Sequence, residues 1–579
     1  MQPELIMPYI NQLKDTKLTC GKTLLELTAY NGIALWWFAD MAFFFYLFNR
    51  EYEGLGREAG LRHKIKTNRL FQALVRRAYY IGDYLLALAS YMILLRFSKI
   101  NQIKSLNQEK NTILITGENI EWRTFYADDR AEPILSDQFF HAIIRRLNDT
   151  GKYRIVSAFP LKCPYTTSVR VVISKCKHWD VLHVPLNLFF RRRIGRERNK
   201  AKLHFRKVWD LLKDDQVFTD LLERPEDPDG EIRRKLRNYF AYDSPEYVFA
   251  EFTKFISMVE TMLDSIRPTV IVIEDEYSVF ERALVVAAKR KNIPCVAIQH
   301  GAIYELHKGY IYQAGEISPD LSVNTPFVPT ADVTAVYGQY HKDLLIQVSG
   351  YPEGSVIVTG QPRYDRMLGL VSQSVRSELI ERWDLDPSKK VVLWTTQCQS
   401  ISDNENELNF HTVFDSISST ENVQLIIKQH PGEPKRYDAM IREHLRGYSI
   451  DAHIVAKDAD TLGLIAVSDL VLLPNSTTGL EAVALQKPLI LITLGGRPDL
   501  FHYVQEGVAC GVYRPEDLKP AIVMLLHDDT CLARNREKFI QRYLHKVDGK
   551  AAERVVALIE RYVETRGAET ATDRAYDES

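Results

Sequence analysis

Two short stretches of this 579-residue chain carry residue types suited to holding a phosphorylated ligand. The first, LIIKQHPGE (Leu425 to Glu433), is an apolar run that breaks directly into Lys428, His430, Pro431 and Glu433. A cation and an imidazole set at a proline-fixed corner could stabilise the negative charge that grows on a departing phosphate. The second, PNSTTGLE (Pro474 to Glu481), follows the apolar run Leu470 to Leu473 and places Asn475, Ser476, Thr477, Thr478 and Gly479 just before an evident helix. Hydroxyls and backbone N–H groups at such a corner bind phosphate oxygens, Gly479 would let a ligand approach, and Glu481 could accept from ribose hydroxyls. An ordinary helix cap would explain Ser476 and Glu481 equally well, so the argument rests on the two corners lying together.

An inverting transfer to a hydroxyl also needs a base. VIVIEDEYS (Val270 to Ser278) ends a strand in Glu274, Asp275 and Glu276, and crowding of like charges raises a carboxylate towards general-base use. Strand alternation turns Asp275 away from Glu274 and Glu276. Helix-start acids are the plainer account. His300, at the end of IPCVAIQHG, competes for the same role. The Asp458/Asp460 pair precedes a helix and reads as a cap as readily as a metal bridge. No metal-ligand or P-loop spacing occurs, so neither a metal nor a cofactor is expected beyond a nucleotide-linked substrate.

These corners need open parallel sheets to position them, because such sheets bind ligands outside their C-terminal strand ends. The chain supplies the pattern. From TILITG at Thr112 onward, short β-branched runs ending in glycine or polar loops alternate with helical stretches. A fresh series begins after DPSKK with VVLWTTQ. The fold class is therefore α/β, with two doubly wound parallel-sheet domains at 111–375 and 376–535. A charged helical insertion is expected at 190–264, C-terminal helices at 536–563 and a disordered polar tail at 564–579.

Residues 1–110 read as a helical extension. Its segments Gly32 to Phe48 and Ala78 to Phe97 approach membrane-spanning length, but Asp40 and Asp83 interrupt them. A carboxylate at mid-span costs roughly 2.5–3.5 kcal/mol. A pair of buried helices is the favoured reading, and an in-plane anchor on anionic lipid the alternative. The basic run RRRIGRERNKAKLHFRK (Arg191 to Lys207) is either a solvated face or a stripe for a membrane surface or polyanionic acceptor.

Overall charge excludes little by itself: 74 basic side chains nearly cancel 75 acidic ones, and nothing points to nucleic acid. The seven scattered cysteines, with no C-x-x-C pair, suggest reduced thiols. The N-terminus lacks a secretory pattern. The expectation is a cytoplasmic protein, with peripheral contact at the inner face of the cell membrane as the alternative.

At KQHPGE and NSTTGLEAVALQKPLI the sequence resembles the GT-B glycosyltransferase superfamily. Within it the pair looks like the HP and Ser/Thr motifs of surface-polysaccharide transferases that use CMP- or CDP-activated donors: sialyl- and polysialyltransferases, capsule Kdo transferases and CDP-glycerol glycerophosphotransferases. VAIQHG and VTGQPRYD are similar to segments of surface-polysaccharide proteins, and VTGQPRYD also to UDP-N-acetylglucosamine 2-epimerase relatives. The resemblance implies two facing Rossmann-like domains. His430 and Pro431 would bind donor phosphate with Ser476 and Thr477, and Glu481 would hold the ribose. The base would come from the acidic motif EDEY, where Tyr277 stands in place of glycine. It implies transfer of a sugar from a CMP-, CDP- or UDP-linked donor to a glycan or lipid-linked acceptor. A UDP-sugar isomerase and a non-catalytic assembly scaffold are the alternatives.

Overall fold

A computed structural model describes residues 3–41, individual positions between 78 and 92, and residues 111–116, 122–125, 134–160, 181–223, 245–398 and 401–577. Two all-parallel sheets organise it. Small antiparallel ribbons, β1 (Ala29–Tyr30) with β2 (Ile33–Ala34) and β4 (Trp122–Phe125) with β5 (Ile134–Asp137), lie outside them.

The N-terminal sheet contains β3 (Thr112–Thr116), β6 (Arg154–Phe159), β7 (Val181–Pro185), β8 (Val270–Ile273), β9 (Cys295–Ile298), β10 (Val333–Val336) and β11 (Val356–Val358). Its order is β11-β10-β9-β8-β3-β6-β7. Alternate side chains enter opposite cores: Leu114, Ile271 and Ala297 pack on one face, and Ile113, Ile115, Val270 and Val272 on the other. That two-sided burial is why these strands are short, continuous apolar runs.

The second sheet contains β12 (Lys390–Thr395), β13 (Val423–Lys428), β14 (Ala452–Val455), β15 (Leu470–Leu473), β16 (Leu489–Ile492) and β17 (Cys510–Val512), in the order β14-β13-β12-β15-β16-β17. In both sheets the first strand sits centrally and the chain reverses its direction of winding beside it, between β3 and β8 and between β12 and β15. Ligands of doubly wound folds bind at such reversals. The β13 and β15 strands are not direct neighbours; β12 lies between them and pairs in parallel with both. Their C-terminal corners therefore emerge at one sheet edge.

The N-terminal segment is part of the first domain's core. Ile6, Ile10, Trp36, Trp37 and Phe38 are buried in the cluster that covers the β3–β8 face. Asp40 lies fully buried with Arg282, 2.7 Å away, and beside the Lys308 ammonium. The carboxylate that interrupts the apolar segment is thus the anion of an interior charge cluster. Residues 42–48 lie outside the described residues, as do Asp83, Cys163 and Cys176. Two cysteines, Cys20 and Cys531, are exposed free thiols, while Cys295 and Cys398 are buried.

The insertion forms the helices Arg192–Leu212, Gln216–Glu223 and Pro245–Ile266. At the C-terminus the helix Thr530–Tyr543 packs on the second domain through Phe539 and Tyr543. The chain then crosses back, and Ala552, Val555, Ile559 and Val563 of the helix Ala551–Asp577 close the far face of the first sheet. Asp365 caps that helix by accepting from the Ala551 and Ala552 amides, both at 2.8 Å. The helix continues into the stretch expected to be a disordered tail, whose alanine- and glutamate-rich composition suits a helix.

Candidate active site

Both phosphate-suited corners open into one cleft of about 580 Å³, whose lining comes from both sheets. At the end of β13, Lys428 is buried and its ammonium donates to the Gln429 and Lys457 carbonyls at 3.0 and 2.7 Å. His430 follows in the Pro431 turn, and its Nδ1 accepts from the Gly432 amide at 3.1 Å. An acceptor Nδ1 places the neutral ring's proton on Nε2. Lys428, His430 and Pro431 all line the cleft, joined by Lys457 and by Gln397 from the end of β12.

The β15 corner contributes Ser476, Thr477, Thr478 and Glu481 to the same cleft. The Ser476 hydroxyl accepts from the Thr478 amide at 3.2 Å and donates to Thr478 Oγ1 at 3.1 Å, which gathers the hydroxyls into one cluster. Glu481 is buried, and its Oε1 pairs with the Arg363 guanidinium. Arg363 belongs to VTGQPRYD, in the link between the domains. The sequence marks the segment but not its arginine, because only the folded chain brings that side chain beside a glutamate 118 positions away. Likewise Asp460 stands at the N-cap of its helix without a side-chain cap bond, and its carboxylate pairs with Arg366 at the cleft wall.

Three expected ligand-binding residues have other work. Glu433 is buried behind the corner, where Oε1 accepts from the Cys398 amide at 2.7 Å and from Thr396 Oγ1 at 2.9 Å. Burial raises its carboxyl above the usual range. It ties the β13 turn to the end of β12 and is absent from the cleft lining. Asn475 donates to the Pro498 carbonyl at 2.9 Å and holds the following loop.

Gly479 serves packing: a Cβ there would meet the Tyr503 ring at 2.5 Å. The Tyr503 hydroxyl donates to the Ser476 carbonyl at 2.8 Å, so the absent side chain admits the ring that steadies the hydroxyl cluster. Gly479→Ala is expected to cost about 1–3 kcal/mol through overpacking. The loss should register as a lower melting temperature, and an unchanged melt would remove this account.

On the opposite wall stands His300, at the end of β9. Its ring stacks on Phe139 with centroids 5.5 Å apart, and its carbonyl accepts from the Tyr337 hydroxyl at 2.7 Å. Fully buried Gln299 fixes the turn by donating to the Gly301 carbonyl at 2.7 Å and accepting from the Tyr337 amide at 2.8 Å. Phe139 is set by Asp137, which accepts from the Phe139 and Phe140 amides, both at 2.9 Å. His300 thus sits on a braced turn facing the His430 and Ser476 corners. His141, Arg145 and Arg146 of the helix His141–Asp149 extend the same wall.

The two acids expected as bases are elsewhere. Asp275 accepts from the Tyr277 and Ser278 amides at 2.9 and 2.8 Å and from Ser278 Oγ at 2.6 Å, which is a helix-start role that occupies both oxygens. Glu276 is buried beneath β10, accepting from the Ala331 amide at 2.7 Å and Thr334 Oγ1 at 2.9 Å. Its carboxyl is indeed pushed up, to about 7, but burial is the main cause, and neither acid lines the cleft.

Unfolded Glu276 ionises near 4.5 while the folded protein retains the proton to about 7. The native state therefore binds more protons between these values, and the Glu276 contribution to stability falls as pH rises through that window. Glu276→Gln should abolish this component: the melting-temperature difference between variant and wild type should shift in the variant's favour from pH 4.5 to 7. A pH-independent difference would refute it.

A family model described as UDP-N-acetylglucosamine 2-epimerase matches residues 231–560. No curated protein matches. Among solved structures, the UDP-GlcNAc 2-epimerase from Neisseria meningitidis bound to UDP-GlcNAc is 12% identical, with a TM-score of 0.47, covering 78% of this chain and 99% of its own. S. aureus MnaA, solved with UDP, is 15% identical with a TM-score of 0.46, covering 79% and 97%. The wall teichoic acid polymerase TagF is 13% identical with a TM-score of 0.45, covering 84% and 98%. With the family model spanning more than half of its length, the chain belongs to the UDP-N-acetylglucosamine 2-epimerase family.

Proposed function

We propose that this chain is a GT-B-type glycosyltransferase that moves a sugar from a CMP-, CDP- or UDP-linked donor to a hydroxyl of a glycan or lipid-linked acceptor with inversion. The observation that carries this reading is that His300, from the first sheet, and the His430, Ser476, Thr477 and Thr478 set, from the second, line one cleft. In this scheme the hydroxyl cluster and His430 Nε2–H hold the donor phosphate, and Lys428 adds positive charge behind them. Glu481, oriented by Arg363, accepts from the ribose. His300 removes the acceptor proton as the hydroxyl attacks the anomeric carbon, and the phosphate leaves towards His430. Protein donors and cations supply the leaving-group stabilisation. Bringing the two walls together around both substrates would exclude water.

The family match favours a second reading, in which the enzyme epimerises a UDP-sugar without an acceptor. That reading would use the same cleft histidines, His300 and His430, at a sugar carbon, and it differs from the transferase reading in needing no acceptor. A thermal-shift panel of CMP, CDP, UDP and GDP with their sugars identifies the donor, because a ligand that binds the native state raises its melting temperature. The purified chain should then leave its donor sugar unepimerised and consume it on addition of acceptor. Epimer formation from UDP-GlcNAc alone would overturn the transferase reading.

A further inference from the structure

The insertion helix Arg192–Leu212 presents a face that the cleft chemistry does not use. Its inner stripe, Ile194, Ala201, Phe205, Val208 and Leu212, is buried against the first domain. The opposite side exposes Arg192, Arg196, Lys200, Leu203 and Lys207 in one line at helical spacing, with Arg193 and Leu211 alongside. Lys200 pairs with Glu197 at 3.0 Å, but among the described residues Arg192, Arg193, Arg196 and Lys207 make no ion pair. Two leucines in this basic stripe are conspicuously wet: Leu203 is 62% exposed and Leu211 54%. None of these residues lines the cleft.

A second feature has the same preference. The helical positions Ile81, Tyr84, Leu85, Leu88 and Met92 share one face and are 40–59% exposed. A contiguous apolar face of that kind marks an interaction site. Among the described residues no helix is long and apolar enough to cross a membrane.

We propose that the N-terminal half docks on an anionic lipid surface, with the basic outer face of the helix Arg192–Leu212 on the headgroups. Leu203, Leu211 and the apolar face of residues 81–92 enter the acyl boundary. Charge complementarity selects an anionic surface, and the exposed aliphatic side chains select a bilayer over a soluble polyanion, which would leave them in water. The inference is independent of the reaction assigned to the cleft.

Flotation of the full chain with phosphatidylcholine vesicles, with and without phosphatidylglycerol, tests it. Binding is expected only with phosphatidylglycerol and should weaken as salt rises. The triple variant Arg192→Gln, Arg196→Gln, Lys207→Gln should partition ~100-fold less, from about fivefold per basic side chain. Leu85→Ser with Leu88→Ser should also weaken flotation. Both variants should keep the wild-type circular dichroism and nucleotide thermal shift, which separates lost docking from lost folding. The proposal falls if the wild type stays unbound, if it floats equally well on pure phosphatidylcholine, or if the triple variant floats like wild type. Tight binding of inorganic polyphosphate without flotation would assign the stripe to a soluble polyanion and equally overturn it.

Discussion

Replacing His300 with alanine should lower turnover by about 10²–10⁴-fold, the usual contribution of a positioned general base. Under the proposed scheme donor binding should survive, because the His430 and Ser476 corners lie on the other sheet: calorimetric affinity for the nucleotide should remain within a few fold of wild type. His300→Gln keeps a polar group on the Phe139 platform but supplies no base, and should be as inactive. Exogenous imidazole should restore part of the rate to the alanine variant, an effect that loss of structure would not permit. Near-normal turnover in His300→Ala would sink the assignment. Asp275→Asn serves as the contrast: its carboxylate organises the start of the helix Val279–Arg290, so its effect should appear as lower stability with kcat largely retained.

The largest stability effect is expected at Asp40. Its partner Arg282 is fully buried, and Lys308 lies beside the same carboxylate, with Nζ 3.5 Å from Oδ2. Arg282 also donates to the Tyr312 hydroxyl at 3.2 Å, which fixes the guanidinium in the interior. Asp40→Ala would leave two buried cations without their common counter-charge, a change that costs roughly 3–5 kcal/mol. For a domain of this size that corresponds to a drop of roughly 6–20 °C in the first thermal transition. Asp40→Leu combined with Arg282→Met should recover much of the loss, since an apolar pair removes the unpaired charge as well as the pair. A melting temperature within about 1 °C of wild type for Asp40→Ala would refute the account.

Asp40 also shows where sequence reasoning stops. In GIALWWFADMAF the carboxylate reads as an obstacle to membrane insertion, and that local inference points correctly to a buried position. Its partner could not be read, because Arg282 lies 242 positions away on a helix whose packing depends on the assembled sheet. Glu276 illustrates the same limit. Its position after an apolar strand and its raised pKa suit a base, yet its oxygens meet Ala331 and Thr334, 55 and 58 positions further along. A carboxylate held by core donors is unavailable to a substrate, whatever its pKa.

The order of residues alone determined what depends on neighbours along the chain. Short β-branched runs closed by glycine or proline mark parallel strands, and the residues just after them mark candidate ligand corners; hence two doubly wound sheets and the HPGE and NSTTGLE corners were legible. Only tertiary structure decided which corners meet and which polar groups face the cleft. The β13 and β15 corners share an edge because both strands pair with β12, and His300 faces them from the other sheet. Glu433, Asn475, Asp275 and Glu276 are instead engaged by nearby groups. Backbone preference is local and therefore written in sequence; strand order and hydrogen-bond partnership arise from contacts between distant segments, and those contacts determine which side chains remain for chemistry.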